Sequence, residues 1–115
     1  MHRSGPAGFG ERYTRAPMVR HILILQPRPT STVEDIEGCR IALEDVVGVI
    51  PGLIDFHWGQ NIGPEHRREG FTHGFSMDFK DRASLDAYGP HPQHALAAAK
   101  VRATFERIVV FDFEL

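Results

Sequence analysis

Several things that would narrow the function of this 115-residue sequence are scarce in it. There is one cysteine, Cys39, so no internal disulfide framework can form; this fits a reducing compartment, with the cytoplasm as the expected location. Basic charge is not in excess. Against 13 Lys and Arg stand 15 Asp and Glu, a formal net charge of -2, so a phosphate backbone is not an expected partner and nucleic-acid binding is disfavoured. Apolar runs such as 22–25 and 108–111 fall far short of the roughly 20 residues of a membrane span, so no membrane partner is expected either. Internal repeats are lacking, and low complexity is confined to the alanine-rich stretch 95–99.

What remains is an ordinary globular composition, 42% hydrophobic and 24% charged, with room for one core. Residues 1–17 carry three glycines, two prolines and three arginines with no hydrophobic periodicity. They predict a flexible extension ahead of a domain spanning 18–115. They do not have the pattern of a secretory signal, and a translation start at Met18 explains them equally well.

The patterned part reads as six main elements. Residues 19–26 form an apolar run stopped by Pro27 and Pro29, as in a covered strand. Ser31 with Glu34 makes a capping box, and Ile36, Cys39, Leu43, Val46 and Ile50 recur at helical spacing until Pro51-Gly52. Residues 53–60 alternate, with Ile54, Phe56 and Trp58 on one side, and residues 71–79 alternate as well. Asp81 caps a short helix through Tyr88, a longer helix runs from 92 to about 106, and residues 107–115 close the chain as a strand. This order, βαββαβ, predicts an α+β ferredoxin-like fold: a four-stranded antiparallel sheet with its helices on one face. The other face, with Ile22, Ile24, Val109 and Phe111, is too apolar for water, which predicts a homodimer.

Three histidines fall on inward-facing positions. His73 shares its parity with Phe71, Phe75, Met77 and Phe79; His21 shares its parity with Leu23 and Leu25; His94 shares a helical stripe with Ala98, Val101, Phe105 and Ile108. The three are expected to converge on one small-molecule pocket, with Phe75 in its wall and Ala97 and Ala98 leaving the space. A lone inward histidine is more often a hydrogen-bonded core residue; three of them must be paired or used, because an unpaired buried polar group costs about 1–3 kcal/mol. The segment Tyr88-Gly89-Pro90-His91-Pro92-Gln93-His94 is the most specific local feature. It puts Tyr88 at the exit of one helix and His94 in the first turn of the next, near the positive end of the helix dipole, which favours a neutral ring able to take a proton. His94 is the candidate general base, Tyr88 the candidate oxyanion stabiliser, and His91 a structural helix cap.

Arg20-His21-Ile22, Ile50-Pro51-Gly52, Trp58-Gly59, Gly70-Phe71-Thr72-His73, Tyr88 followed by His91-Pro92-Gln93-His94, and Phe111-Asp112 together resemble the stress-responsive A/B barrel, or Dabb, family over about residues 18–115. The resemblance implies a dimeric α+β barrel. One plant member closes a polyketide chain by an aldol condensation, and its functional residues match His21, His73, Tyr88 and His94 here, with Tyr88 and His94 in the acid/base roles. Some family structures also carry magnesium on backbone carbonyls that map to Val47, Ile50 and Leu53. Exposed carbonyls at a helix end hold an adventitious cation equally well, and no other cofactor is expected. Arg40 and Glu44 on the first helix are expected near the pocket side.

Two functions compete: a cofactor-free lyase or cyclase using His94 and Tyr88, and a non-catalytic stress protein whose pocket holds a small molecule. A cofactor-free monooxygenase drawing on Trp58 and Asn61 is less favoured, since Trp58 reads more simply as core. So is a zinc site of His21, His73 and His94, which lacks a close-spaced ligand pair. Cys39 and the Arg67-Arg68 pair read as packing and solvation.

Overall fold

The computed structural model describes residues 16–115, so most of the expected N-terminal extension, residues 1–15, lies outside the described residues. Four strands, β1 (Val19–Pro27), β2 (Leu53–Gln60), β3 (His73–Phe79) and β4 (Phe105–Glu114), form one antiparallel sheet in the order β2-β3-β1-β4. Three helices, α1 (Val33–Glu44), α2 (Arg82–Tyr88) and α3 (Pro92–Thr104), complete the expected ferredoxin-like α+β fold. The core lies between the sheet and its helices, where Leu25, Phe75, Met77 and Phe79 meet Cys39, Leu43, Tyr88, Ala97 and Val101. β1 lies in the interior of the sheet, flanked by β3 and β4.

The local signals act with some displacement. The capping box of α1 is Thr32 with Asp35: Thr32 Oγ1 accepts the Asp35 N–H (3.0 Å) and Asp35 Oδ2 accepts the Thr32 N–H (2.9 Å). The expected pair, Ser31 with Glu34, fits the same pattern one residue earlier. Ser31 instead donates its hydroxyl to the Thr104 carbonyl (2.6 Å), tying the start of α1 to the end of α3. α1 also ends at Glu44 rather than running to Pro51. Residues 45–50 form turns in which Gly48 takes φ +84°, a left-handed conformation that stops a helix. Val46 and Ile50 are nonetheless buried, as their apolar spacing predicts, although they lie beyond the helix.

Two further boundaries shift. In β2 a register irregularity between Leu53 and Asp55 turns Leu53 into the core and leaves Ile54 half exposed, so Ile54 does not share the inward side with Phe56 and Trp58. Phe105 and Ile108, placed on the stripe of the last helix, belong to β4, which Phe105 opens while 1% exposed. Gly52 turns the chain into β2 at φ +84°, and a Cβ there would collide with Ser84 at the start of α2, so only glycine fits.

The helix-free face carries Ile22 opposite Phe111 and Ile24 opposite Val109. Ile24, Val109 and Phe111 are 39%, 45% and 63% exposed. Beside them Arg20 forms a two-point ion pair with Asp78 (2.8 and 3.0 Å), whose hydrogen bonds hold the Asp78 carboxyl below its ordinary pKa.

Candidate functional site

Tyr88 ends α2, and the Gly89-Pro90 turn carries the chain to His91, the N-cap of α3, whose Nδ1 accepts the Gln93 N–H (3.1 Å). With Pro92 in the first turn, the next inward-facing position is His94. Its ring centroid lies 4.1 Å from that of Tyr88, and its Nδ1 is 2.8 Å from the Gly89 carbonyl oxygen. A carbonyl can only accept, so Nδ1 carries the hydrogen and the free lone pair of the neutral ring is on Nε2.

From the sheet, His21 approaches the same tyrosine, with ring centroids 5.9 Å apart. Its Nδ1 is 2.6 Å from Oδ1 of Asp112, the residue opposite it on β4, so this ring too is anchored at Nδ1. Tyr88 is 3% exposed, and its hydroxyl has no hydrogen-bond partner among the described residues. Burial pushes its pKa well above the ordinary phenol value, so the group stays protonated and acts as a hydrogen-bond donor.

These three rings line a cavity of about 220 Å³ between sheet and helices. Leu23, Leu43, Phe75, Ala98, Val101 and Ile108 supply an apolar wall, and Arg102 is also on its lining. Phe75 and Ala98 thus stand where expected. Ala97 does not border the space; it is 2% exposed within the core.

His73 is on the expected sheet face but away from this cavity. It pairs with Leu25, whereas His21 pairs with Met77, four residues further along β3, or about 13 Å at strand rise. His73 packs against Trp58 and Phe105 (ring centroids 5.9 and 6.3 Å), its Nδ1 is 2.7 Å from Thr72 Oγ1, and burial pushes its pKa below the ordinary imidazole value. It borders a more open hollow of about 350 Å³ with Gly59, Gln60, Asn61 and Arg68, a space that includes neither Tyr88 nor His94. The three histidines therefore do not converge. Among the described residues no cluster of three or more His, Cys, Asp or Glu side chains could hold a metal.

Other expected positions resolve differently. Arg40 forms ion pairs with Glu37 (2.7 Å) and Glu44 (3.1 Å) on α1, and neither Arg40 nor Glu44 lines the cavity. Trp58 stacks on Phe75 (6.0 Å, 8°), and Asn61 spends its side chain on the Phe71 carbonyl and the Gly63 N–H, so both are engaged structurally. Val47 and Ile50 sit in the turns after α1 and Leu53 opens β2, so the backbone magnesium position is not a helix end. The Ile50 carbonyl already accepts the Leu53 N–H (3.3 Å), and a cation would have to share it.

Two contributors have no role in the sequence reading. Asp112, noted there only within the Phe111-Asp112 motif, becomes a partner of His21 once the β1–β4 register is known. Arg102 lies four residues after Ala98 and eight after His94, a helical spacing that could have found it.

A ferredoxin-like sheet with a histidine–tyrosine cavity under its helices defines the class of protein. Within that class the chain belongs to the stress-responsive A/B barrel (Dabb) family, whose model matches residues 19–115. It is similar to olivetolic acid cyclase of Cannabis sativa, 25% identical over 95 residues that cover 83% of this chain and 94% of that protein. It is also similar to a dimeric ferredoxin-like protein of unknown function from Jannaschia (31% identity, TM-score 0.76, covering 85% of this chain and 99% of that one). The hydroxynitrile lyase of Passiflora edulis shares the fold (23% identity, TM-score 0.79, 86% and 94% covered). No helix among the described residues is long and apolar enough to cross a membrane.

Proposed function

We propose that this protein is a homodimeric, cofactor-independent lyase or cyclase that forms or breaks a carbon–carbon bond beside a carbonyl, with His94 as base and Tyr88 as oxyanion stabiliser. The observation that carries this reading is the anchored His94 ring. Its Nδ1–H is held by the Gly89 carbonyl, which leaves Nε2 as proton acceptor in a ring that lies against the buried Tyr88.

In the forward direction Nε2 of His94 takes a proton from a carbon flanked by carbonyls, and the electron pair of that C–H bond passes into the enolate. The Tyr88 hydroxyl donates to the enolate oxygen. The enolate carbon then attacks a second carbonyl of the same substrate, a carbon–carbon bond forms, and the resulting alkoxide recovers the proton from His94. Such acid/base groups typically contribute about 10²–10⁴-fold to rate, enough for an already acidic methylene. The name of the cyclase relative is in keeping with this chemistry.

The apolar helix-free face and the dimeric description of a solved relative support assembly of two copies through that face. A second reading, a binding protein without turnover, is favoured by the cavity wall, in which six of ten lining residues are apolar. His94→Ala separates the two when wild type and variant are incubated with small β-polyketo thioester mimics. Loss of product formation by about 10²-fold or more, in a variant that remains a folded dimer, is the expected result. Binding of the same mimics without turnover by the wild type would leave the second reading standing.

A further inference from the structure

We propose that Arg102 is an anion anchor, and that the cavity selects a small carboxylate with an apolar body over a neutral molecule of the same shape. This rests on the reading of the cavity as a small-molecule site and names the class of ligand it takes. Arg102 is the one lining side chain of the cavity that is charged at every ordinary pH. Its guanidinium has no ion-pair partner among the described residues, whereas Arg20 and Arg40 are both committed to carboxylates.

The arrangement is polar at two ends with an apolar middle. Arg102 follows His94 by eight residues on α3, about 12 Å along the axis, and Ala98 and Val101 lie between them. Leu23, Leu43 and Ile108 continue the apolar wall. An apolar cavity of about 150 Å³ holds benzene. A space of about 220 Å³ therefore takes one ring or a short acyl chain with a few additional atoms. Arg102 borders that space while itself exposed to solvent, so the charged end of such a ligand would meet its guanidinium, a fork of donors suited to a carboxylate, at the solvent side. Arg102 also stands in the last turn of α3, where a cation complements the helix dipole; that structural role alone predicts no ligand preference.

The test measures binding of benzoate, phenylacetate and 3-phenylpropanoate, and of their primary amides, to the full chain by calorimetry. At about pH 8 an ordinary imidazole is neutral and does not hold the anion. At least one acid is expected to bind about tenfold or more tighter than its amide, with a preference that weakens as ionic strength rises. Arg102→Gln should bring the ratio close to one with amide affinity unchanged, and Arg102→Lys should keep part of the preference. Equal binding of acid and amide by the wild type, or a preference that survives Arg102→Gln, overturns the inference and leaves the cavity reading intact. Binding of none of the six overturns the inference and counts against the cavity reading as well.

Discussion

Replacing Tyr88 by Phe tests the site and its energetics together. The substitution removes one oxygen and keeps the ring, which packs edge-on against Phe79 (5.0 Å) and beside His94 (4.1 Å). That oxygen is buried with no hydrogen-bond partner among the described residues, and an unpaired buried polar group costs about 1–3 kcal/mol. The cavity has room for a few waters at about 30 Å³ each, which lowers the cost, so a gain of about 1 kcal/mol is expected for the unliganded variant. For a domain of this size that raises the melting temperature by roughly 4–8 °C. The assay is calorimetric melting of both proteins at one concentration, since the Tm of a dimer depends on concentration. Turnover of a β-polyketo thioester mimic should move the opposite way, falling about 10²–10³-fold as the oxyanion donor is lost. A lower melting temperature for Tyr88→Phe would refute the reasoning, because it would mean that the hydroxyl is a structural hydrogen-bonding group rather than one kept free for a ligand.

Two further outcomes follow from groups outside the cavity. His73 is held below its ordinary pKa by burial, so between that lowered value and about 6.5 the unfolded chain binds a proton that the folded one does not. Stability is complete above about pH 6.5 and falls as pH drops through this window; His73→Phe should flatten that part of a denaturation profile, and an unchanged slope would contradict the assignment. If the proposed homodimer forms through the helix-free face, Phe111→Asp should convert it to monomer in sedimentation: burying a Phe contributes about 1.5–3 kcal/mol, and a two-fold interface loses it twice, weakening association by about 10²–10⁴-fold.

The sequence patterns that carried most were those with a short range. Tyr88, His91 and His94 could be placed because two prolines and a glycine confine that segment to one route, and the structure places Tyr88 at a helix exit, His91 at a cap and His94 facing inward. Strand parity put His21, His73 and Phe75 on the helix side correctly. Parity does not say how far along that face each lies, and about 13 Å of strand separates His73 from the position opposite His21, which keeps it out of the expected common pocket. Irregularities were equally silent. Nothing in the alternation of 53–60 marks the bulge that exchanges Leu53 for Ile54, and the apolar spacing of Val46 and Ile50 persists into the turns that follow the end of α1 at Glu44. The partners of Arg40 were within four residues and legible as ordinary helix ion pairs, while Asp112 becomes a partner of His21 only through a contact 91 residues away in sequence.

That long contact ties the two faces of the sheet to one another. β4 pairs only with β1, and its alternate residues do different work: Asp112 points to the helix side and anchors His21, while Val109, Phe111 and Phe113 make up the apolar helix-free face. A slip of one residue between β1 and β4 would exchange these sets, taking the carboxylate from His21 and turning phenylalanines toward the cavity. The β1–β4 register is held by nine paired positions, from Val19 opposite Glu114 to Pro27 opposite Phe105, with the one irregularity confined to its end. A second copy packed over the helix-free face would hold the same strand from outside. The ring of His21 therefore depends on a strand whose other side is free to serve as the dimer face, and a change at Phe111 reaches the cavity only to the extent that it moves β4.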